Sequence, residues 1–417
     1  MNLFGKMCGR RALVGLACVL GTSLPIAYSQ SFATAIQPGL NRLLGLPPSP
    51  YSPSTLISSN VPVNDDRLAS LGAKLFYDNR LSADGLHSCS SCHQPDKYFA
   101  DGLDVSRGVG NKLGTRNAPS LLNVSYNPTQ FWDGREDTLE HQALRPLINP
   151  REMGQPDHEA VLAVIRRDKD YLADFKRVFN TRSATDITID SVVSALATYQ
   201  RTLVAGDSPF DRYRYGADAH AMSDGALRGY KLFVGAAACV KCHTIDQGNA
   251  LFTDNEFHAL SVGLNQIAPR LAELTVKLSA EKLRGVPIDD IVLTDDDFAE
   301  LGRFVVTLQP QDIGTFRTPT LRNVAMTAPY MHDGSVKTLA EAVDLEVFYR
   351  SNEQGHPLLL TPPERQDLIT FLESLTSSPE SLKALMPTEA QRKASRVAEQ
   401  MLPPVTSGKT YRLPGQF

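Results

Sequence analysis

Tryptophan is almost missing from this chain: 417 residues hold one, Trp132. An excess of positive charge is missing as well. The net charge is −4 at pH 7, so the broad basic face that nucleic acid requires is not provided for. Apolar runs are short. The stretch Ala12 to Leu20 falls below the length needed to cross a bilayer. Strand-like alternation is scarce, which leaves the helix as the main element. Cysteine is sparing too, with six residues, two of them in the first 18.

What is present starts with a secretion-type N-terminus. Lys6, Arg10 and Arg11 precede the short apolar run, and small residues follow, with cleavage expected near Ala27-Tyr28-Ser29. A retained anchor and a lipoprotein site at Cys18 are the competing readings. The expectation is a signal peptide over 1–29, a mature protein in the periplasm, and no membrane span after cleavage. Loss of the three basic residues takes the mature charge to about −7, which suits docking to a basic partner. Cleavage also removes Cys8 and Cys18. The four remaining cysteines form two pairs, Cys89/Cys92 and Cys239/Cys242.

Residues 30–62 are rich in proline and serine and read as a flexible or extended leader. From Asp65 the pattern turns helical, with Leu68, Leu71, Leu75 and Phe76 on one face. Residues 190–204 and 364–375 repeat this style. Between these stretches lie long segments full of Gly, Pro and Asn. An internal repeat runs through them. Gly72-Ala73-Lys74-Leu75-Phe76 precedes the first cysteine pair, and Gly229-Tyr230-Lys231-Leu232-Phe233 precedes the second. Further on, Gly114-Thr115, Asn123-Val124, Asp133-Gly134 and Thr138-Leu139 recur as Gly314-Thr315, Asn323-Val324, Asp333-Gly334 and Thr338-Leu339 in one register. The expected fold is therefore mostly α: two related domains, 63–206 and 207–376, with long loops and a tail at 377–417. The boundary falls at the turn-forming Gly206-Asp207-Ser208-Pro209.

Cys89-Ser90-Ser91-Cys92-His93 and Cys239-Val240-Lys241-Cys242-His243 are both C-x-x-C-H, the attachment pattern of c-type haem. The thiols form thioethers to the porphyrin, and His93 and His243 are placed to ligate the two irons. Zinc would need two further ligands for each pair. A redox dithiol would need a βαβ context. Between His93 and Trp132 there is neither His nor Met, which favours a first iron with one face open to peroxide. Trp132 reads either as a relay for electrons between two haems or as a core aromatic. Glu152 reads either as a carboxylate that handles the protons of bound peroxide or as a surface charge. Gln142 lies in the same polar run.

These residues resemble the bacterial dihaem cytochrome c peroxidase family, which includes the MauG-like enzymes. The resemblance rests on both C-x-x-C-H motifs, Arg116-Asn117-Ala118-Pro119-Ser120, Phe131-Trp132-Asp133-Gly134-Arg135, Asn149-Pro150-Arg151-Glu152-Met153, Pro319-Thr320-Leu321-Arg322-Asn323 and Pro329-Tyr330-Met331-His332-Asp333-Gly334. It spans about residues 64–376. It implies two cytochrome-c-like haem domains with calcium between them. The N-terminal domain is then peroxidatic, and the C-terminal domain takes electrons from a small cytochrome c or cupredoxin. Matched by motif, Glu152 takes the distal acid/base place with Gln142 beside it, and Trp132 lies between the haems. Asn117 and the carbonyls of Thr327 and Pro329 take the calcium places. A homodimer stays open.

Two departures lean toward the MauG-like branch. Many members carry a His before the Arg-Asn motif that caps the first iron, and by register Val109 stands there. No Met occurs between Met331 and Met386, where many members have the second iron's far ligand. The nearest match to the MauG-like tyrosine is Tyr349 in Val347-Phe348-Tyr349-Arg350, with Met331 and Met326 as alternatives. Three functions follow: a peroxidase fed by a donor protein, a MauG-like oxidase that modifies a partner protein, and a plain dihaem electron carrier. The open first iron argues against the third.

Overall fold

Three amphipathic stretches of the sequence become helices at the expected places. The computed structural model describes residues 42–48, 66–354 and 357–389. The signal segment 1–29, most of the leader and residues 390–417 of the tail lie outside the described residues. In the Asp66–Phe76 helix Leu68, Leu71, Leu75 and Phe76 are all buried. In the Ile189–Thr202 helix the buried face carries Val192, Val193, Leu196 and Tyr199. In the Pro362–Glu373 helix it carries Leu368, Phe371 and Leu372. That helix starts with Pro362 behind Thr361, whose hydroxyl and Glu364 form a capping box.

The repeated Gly-x-Lys-Leu-Phe has a packing reason. The Asp66–Phe76 helix lies against the Ile189–Thr202 helix, and a Cβ at Gly72 would come within 1.9 Å of the Ala195 carbonyl oxygen. The Asp224–Val234 helix lies in the same way against Pro362–Glu373, where a Cβ at Gly229 would come within 1.9 Å of the Asp367 carbonyl. Only a residue without a side chain permits either backbone approach. Downstream, the matched segments share local geometry. Asn123 and Asn323 have φ of 63° and 61°, and Phe131 and Met331 have φ of 66° and 70°. Gln130 bridges Glu136, and Tyr330 bridges Val336. Asn123 Oδ1 accepts from the Ala205 N–H at 3.0 Å, and Asn323 Oδ1 from the Ser377 N–H at 2.8 Å.

The described residues are mostly helical. Their one sheet is a short ribbon, Phe257–Ala259 antiparallel to Thr315–Arg317, with Phe257 opposite Arg317. One hydrophobic core draws on residues 68–205 and also takes Leu382 and Leu385 from beyond the last expected helix. A second gathers Phe210, Phe233, Phe252 and Phe371. A third takes Leu274, Leu278 and Ile291 from helices at Leu271–Leu283 and Ile288–Thr294, and Phe298 and Val305 from the short turns at Asp296–Leu301 and Phe304–Thr307. The described residues all fall within one contact unit. No described helix is long and apolar enough to cross a membrane.

The described part of the leader, residues 42–48, is packed rather than loose, contrary to its composition. The Arg42 carbonyl accepts from the Gly206 N–H at 2.7 Å, and the Pro47 carbonyl accepts from the Tyr126 hydroxyl at 3.1 Å. The Gly45 carbonyl accepts from the Ala250 N–H at 2.9 Å and from Arg322 Nη2 at 2.5 Å. Arg322 is buried and paired with buried Asp211 at 2.9 Å. This segment thus finds its hydrogen bonds on residues from both halves of the chain.

Candidate haem and peroxide site

Both C-x-x-C-H motifs open onto one cavity of about 420 Å³. Cys89–Cys92 forms a single helical turn behind Ser88, whose N–H is accepted by Ser91 Oγ at 3.0 Å. Cys239–Lys241 forms a 3-10 turn. The adjacent histidines are held alike. His93 Nδ1 donates to the Phe99 carbonyl at 3.1 Å, and His243 Nδ1 donates to the Phe252 carbonyl at 2.9 Å. In both, Nδ1 carries the proton and Nε2 keeps its lone pair, the arrangement of an iron or zinc ligand with its second partner in place. Burial lowers the proton affinity of His93 and takes His243 down to about 4, so both imidazoles are neutral at pH 7. Burial also pushes the Cys89 and Cys239 thiols up to about 12. These are not the low-affinity thiols of a redox dithiol. Cys242 lies near Asp254 and His258, but among the described residues no metal-ligating group of three or more joins both cysteines of a pair.

The cavity wall is suited to haem carboxylates. Arg107 Nε, Arg116 Nη1 and Arg317 Nε are buried without a hydrogen-bond partner, and all three residues line the cavity. Burial lowers Arg116 and brings Arg317 down to about 10. Arg116 has Asp133 at 3.7 Å, whereas the Arg317 side chain reaches the neutral amide oxygens of Asn127 and Asn255 at 3.3 Å, and a buried cation needs an anion. The propionates of two haems are anions of the right kind, and the residues present fit the group.

Glu152 reaches the same cavity from the turn after the Leu139–Ile148 helix. The turn closes through the Glu152 N–H to the Asn149 carbonyl at 3.0 Å and the Gly154 N–H to the same oxygen at 2.9 Å. Gly154 has φ of 67°, and a Cβ there would strike Val109. The Asn149 amide donates to the Glu152 carboxyl at 2.7 Å. Burial raises that carboxyl to about 7, Arg135 opposes the rise, and Asp289 adds to it. Such a group changes protonation near neutrality, as a proton-transfer catalyst must. Gln142 and Trp132 line the cavity too. The Trp132 indole donates to the Asn117 carbonyl at 3.0 Å, and its own carbonyl accepts from the Arg317 N–H at 2.9 Å. Phe131 has φ of 66° and carries the Arg135 guanidinium 3.5 Å above its ring.

The remaining expected residues divide. Asn117, Thr327 and Pro329 line the cavity, and Asn117 Nδ2 donates to the Leu103 carbonyl at 2.8 Å, which leaves Oδ1 as an acceptor. Met331 lines the cavity. Tyr349 does not. It packs with Tyr330, Val336 and Leu345, edge-on to Phe348. Met326 is exposed. Val109 is buried and turned toward Gly154, with its N–H on the Glu152 carbonyl at 2.9 Å.

Two features escaped the reading of the sequence. His332 Nε2 and Glu300 form a buried pair at 2.7 Å, with the His332 ring stacked 3.7 Å from Phe316. Asp289, Val292 and Leu293 join the wall around Glu152 from the other half of the chain. A signal for the second feature exists. Cys89 and Cys239 lie 150 positions apart, but Gly114 and Gly314 lie 200 apart. The second half therefore carries about 50 extra residues between these landmarks, counted from the repeat.

Comparison with known proteins decides the family. The di-haem cytochrome c peroxidase family matches over residues 66–219. A cytochrome-c peroxidase, IdrP1, from Pseudomonas sp. (strain SCT) is 33% identical over 86% of this chain and 92% of its own length. The chain belongs to this family. A methylamine utilization protein MauG from Methylorubrum extorquens is 34% identical over 77% of this chain and 81% of its own. Among solved structures, the diheme peroxidase BthA from Burkholderia thailandensis aligns with a TM-score of 0.59 and 25% identity over 78% of this chain and 89% of its own. As a member of the dihaem cytochrome c peroxidase family, the chain is an oxidoreductase that uses peroxide, and the two C-x-x-C-H motifs provide for its two haems.

Proposed function

We propose that hydrogen peroxide is reduced to two waters beside His93, with two protons and two electrons consumed, and that the electrons enter from a small cytochrome c or cupredoxin beside His243. The observation that carries this reading is the burial of Glu152 in one cavity with His93, Gln142 and Trp132. When bound, the two haems supply the electron-transfer chemistry. The chain supplies the rest. His93 and His243 offer neutral Nε2 atoms held by backbone carbonyls. As a carboxylate, Glu152 takes a proton from the near oxygen of peroxide and returns it to the departing oxygen. Gln142 orients the peroxide. Trp132, anchored through its indole N–H, passes electrons between the two sites.

The same proposal covers the duplication, with domains at 63–206 and 207–376. It is supported by the matching glycine crossings and asparagine turns. It also covers calcium on Asn117 Oδ1 and the carbonyls of Thr327 and Pro329, a hard cation on oxygen donors. Export to the periplasm fits the covalent haem motifs.

One observation favours a second reading. Val109, in place of a capping His, leaves the first site open without prior reduction. That suits a MauG-like oxidase that draws electrons from side chains of a partner protein. The deciding experiment measures peroxide turnover of the dihaem protein with reduced cytochrome c or cupredoxin. Sustained turnover supports the peroxidase. Peroxide consumption without donor oxidation, together with altered Trp or Tyr residues in a co-purified protein, supports the oxidase.

A further inference from the structure

The extra residues of the second half form a roof over the first half's site. The Ile288–Thr294 helix turns Ile291 into its own core, with Leu274, Leu278 and Phe298. Its neighbours Asp289, Val292 and Leu293 face the cavity that also holds Asn149 and Glu152. Three arginines of the first half fasten this helix. Arg135 Nε donates to Asp289 Oδ1 at 2.9 Å, and Arg145 Nε lies 3.3 Å from Asp289 Oδ2. Arg151 reaches past the helix to Asp296 at 2.5 Å and to the Leu293 carbonyl at 3.3 Å. The roof is braced on its own side, where Arg270 pairs with Asp295 at 2.7 Å and Asp297 at 2.5 Å.

We infer that this roof makes the peroxide pocket selective by size, with Asp289 and Asp296 as the positioning residues that keep Val292 and Leu293 over it. The inference rests on the reading of Glu152 and His93 as the peroxide site. Hydrogen peroxide brings two oxygens and no carbon substituent. An organic hydroperoxide undergoes the same two-electron, two-proton cleavage to an alcohol and water, but its substituent must occupy the space that Val292 and Leu293 fill. Apolar walls discriminate by steric exclusion, which two latched side chains on a braced helix can sustain. Asp289 is tied to Arg135, which Asp133 also holds at 2.9 Å, so its loss frees the roof without releasing Arg135.

The test follows the haem spectrum of the dihaem protein by stopped flow after mixing with hydrogen peroxide or cumene hydroperoxide. The wild type is expected to react with hydrogen peroxide at least about 100-fold faster. Asp289→Asn and Asp296→Asn should each narrow that ratio about tenfold or more, through faster reaction with cumene hydroperoxide. Asp289→Glu should restore it. Asp296 is largely exposed, so its variant keeps the test decisive if Asp289→Asn folds poorly. Equal rates with the two hydroperoxides in the wild type overturn the roof, as does an unchanged ratio in both variants at full haem content. A wild type that does not react with hydrogen peroxide at all overturns the reading of the site itself.

Discussion

Asn149 donates its side-chain amide to the carboxyl of Glu152 at 2.7 Å, from the same residue whose backbone carbonyl closes the turn that presents it. One asparagine thus fixes the position of the acid and also lowers its proton affinity, against the larger effect of burial. Glu152 sits at about 7 because burial outweighs this bond and the nearby Arg135 charge.

A pH dependence follows. If Glu152 acts first as a base, the rate of reaction with peroxide rises with pH through about 7. Glu152→Gln removes the base and should slow the reaction by about 10²–10⁴-fold, with the pH dependence lost. Asn149→Ala removes a bond that favours the charged carboxylate, so the rising limb should move to higher pH. Stopped-flow rates across pH 5 to 9 check all three. A wild-type profile in Glu152→Gln would end the proton role.

Trp132→Phe keeps an aromatic ring and loses the bond from the indole N–H to the Asn117 carbonyl. Peroxide should still react at the first haem. Oxidation of the second should lag behind it, and spectra that resolve the two haems in time measure the lag. Simultaneous oxidation of both haems would assign Trp132 to packing alone.

Cys89 and Cys92 are expected to carry one haem and Cys239 and Cys242 the other. Mass spectrometry of the denatured protein, after export with haem maturation, should give two haem additions. Cys89→Ala with Cys92→Ala should give one.

These local motifs were legible because covalent haem attachment needs neighbours in sequence. The helices were legible for a similar reason, since the periodicity of Leu68, Leu71 and Leu75 is set by one buried face. Contacts between distant segments left little trace. Glu300 and His332 pair across 32 positions, a separation that no helix or turn periodicity links. The leader read as loose because proline-rich composition says nothing about carbonyl partners supplied from elsewhere. Tyr349 was the expected far ligand of the second iron, matched by motif alone. In the structure the helical phase of Leu339–Gln354 places Val343, Glu346, Val347 and Arg350 on the cavity and Tyr349, half-buried, against the core beside it.

The glycine crossings give a prediction of stability. Gly72→Ala and Gly229→Ala each put a methyl group within 1.9 Å of a backbone carbonyl. The two helices of each pair must then move apart, at a cost of about 1–3 kcal/mol. Thermal unfolding of the haem-loaded variants should show a clear loss in both, and an unchanged midpoint would mean that the helix pairs slide freely.

Asp211→Asn leaves the Arg322 guanidinium buried without its carboxylate. Breaking such a pair on one side costs about 3–5 kcal/mol. Denaturant unfolding measures it, and a loss below about 1 kcal/mol would place the pair among those that contribute nothing net.

The hydrogen bond from Arg322 to the Gly45 carbonyl joins positions 277 apart. Closing so long a loop is entropically unfavourable until its ends are already held near each other. Here they are held only when residues 206, 250 and 322, on which segment 42–48 rests, have reached their places. Segment 42–48 is therefore expected to close last. Protection of residues 42–48 from a protease marks a chain whose two halves have finished assembling, and its rate of appearance after denaturant dilution times that final step.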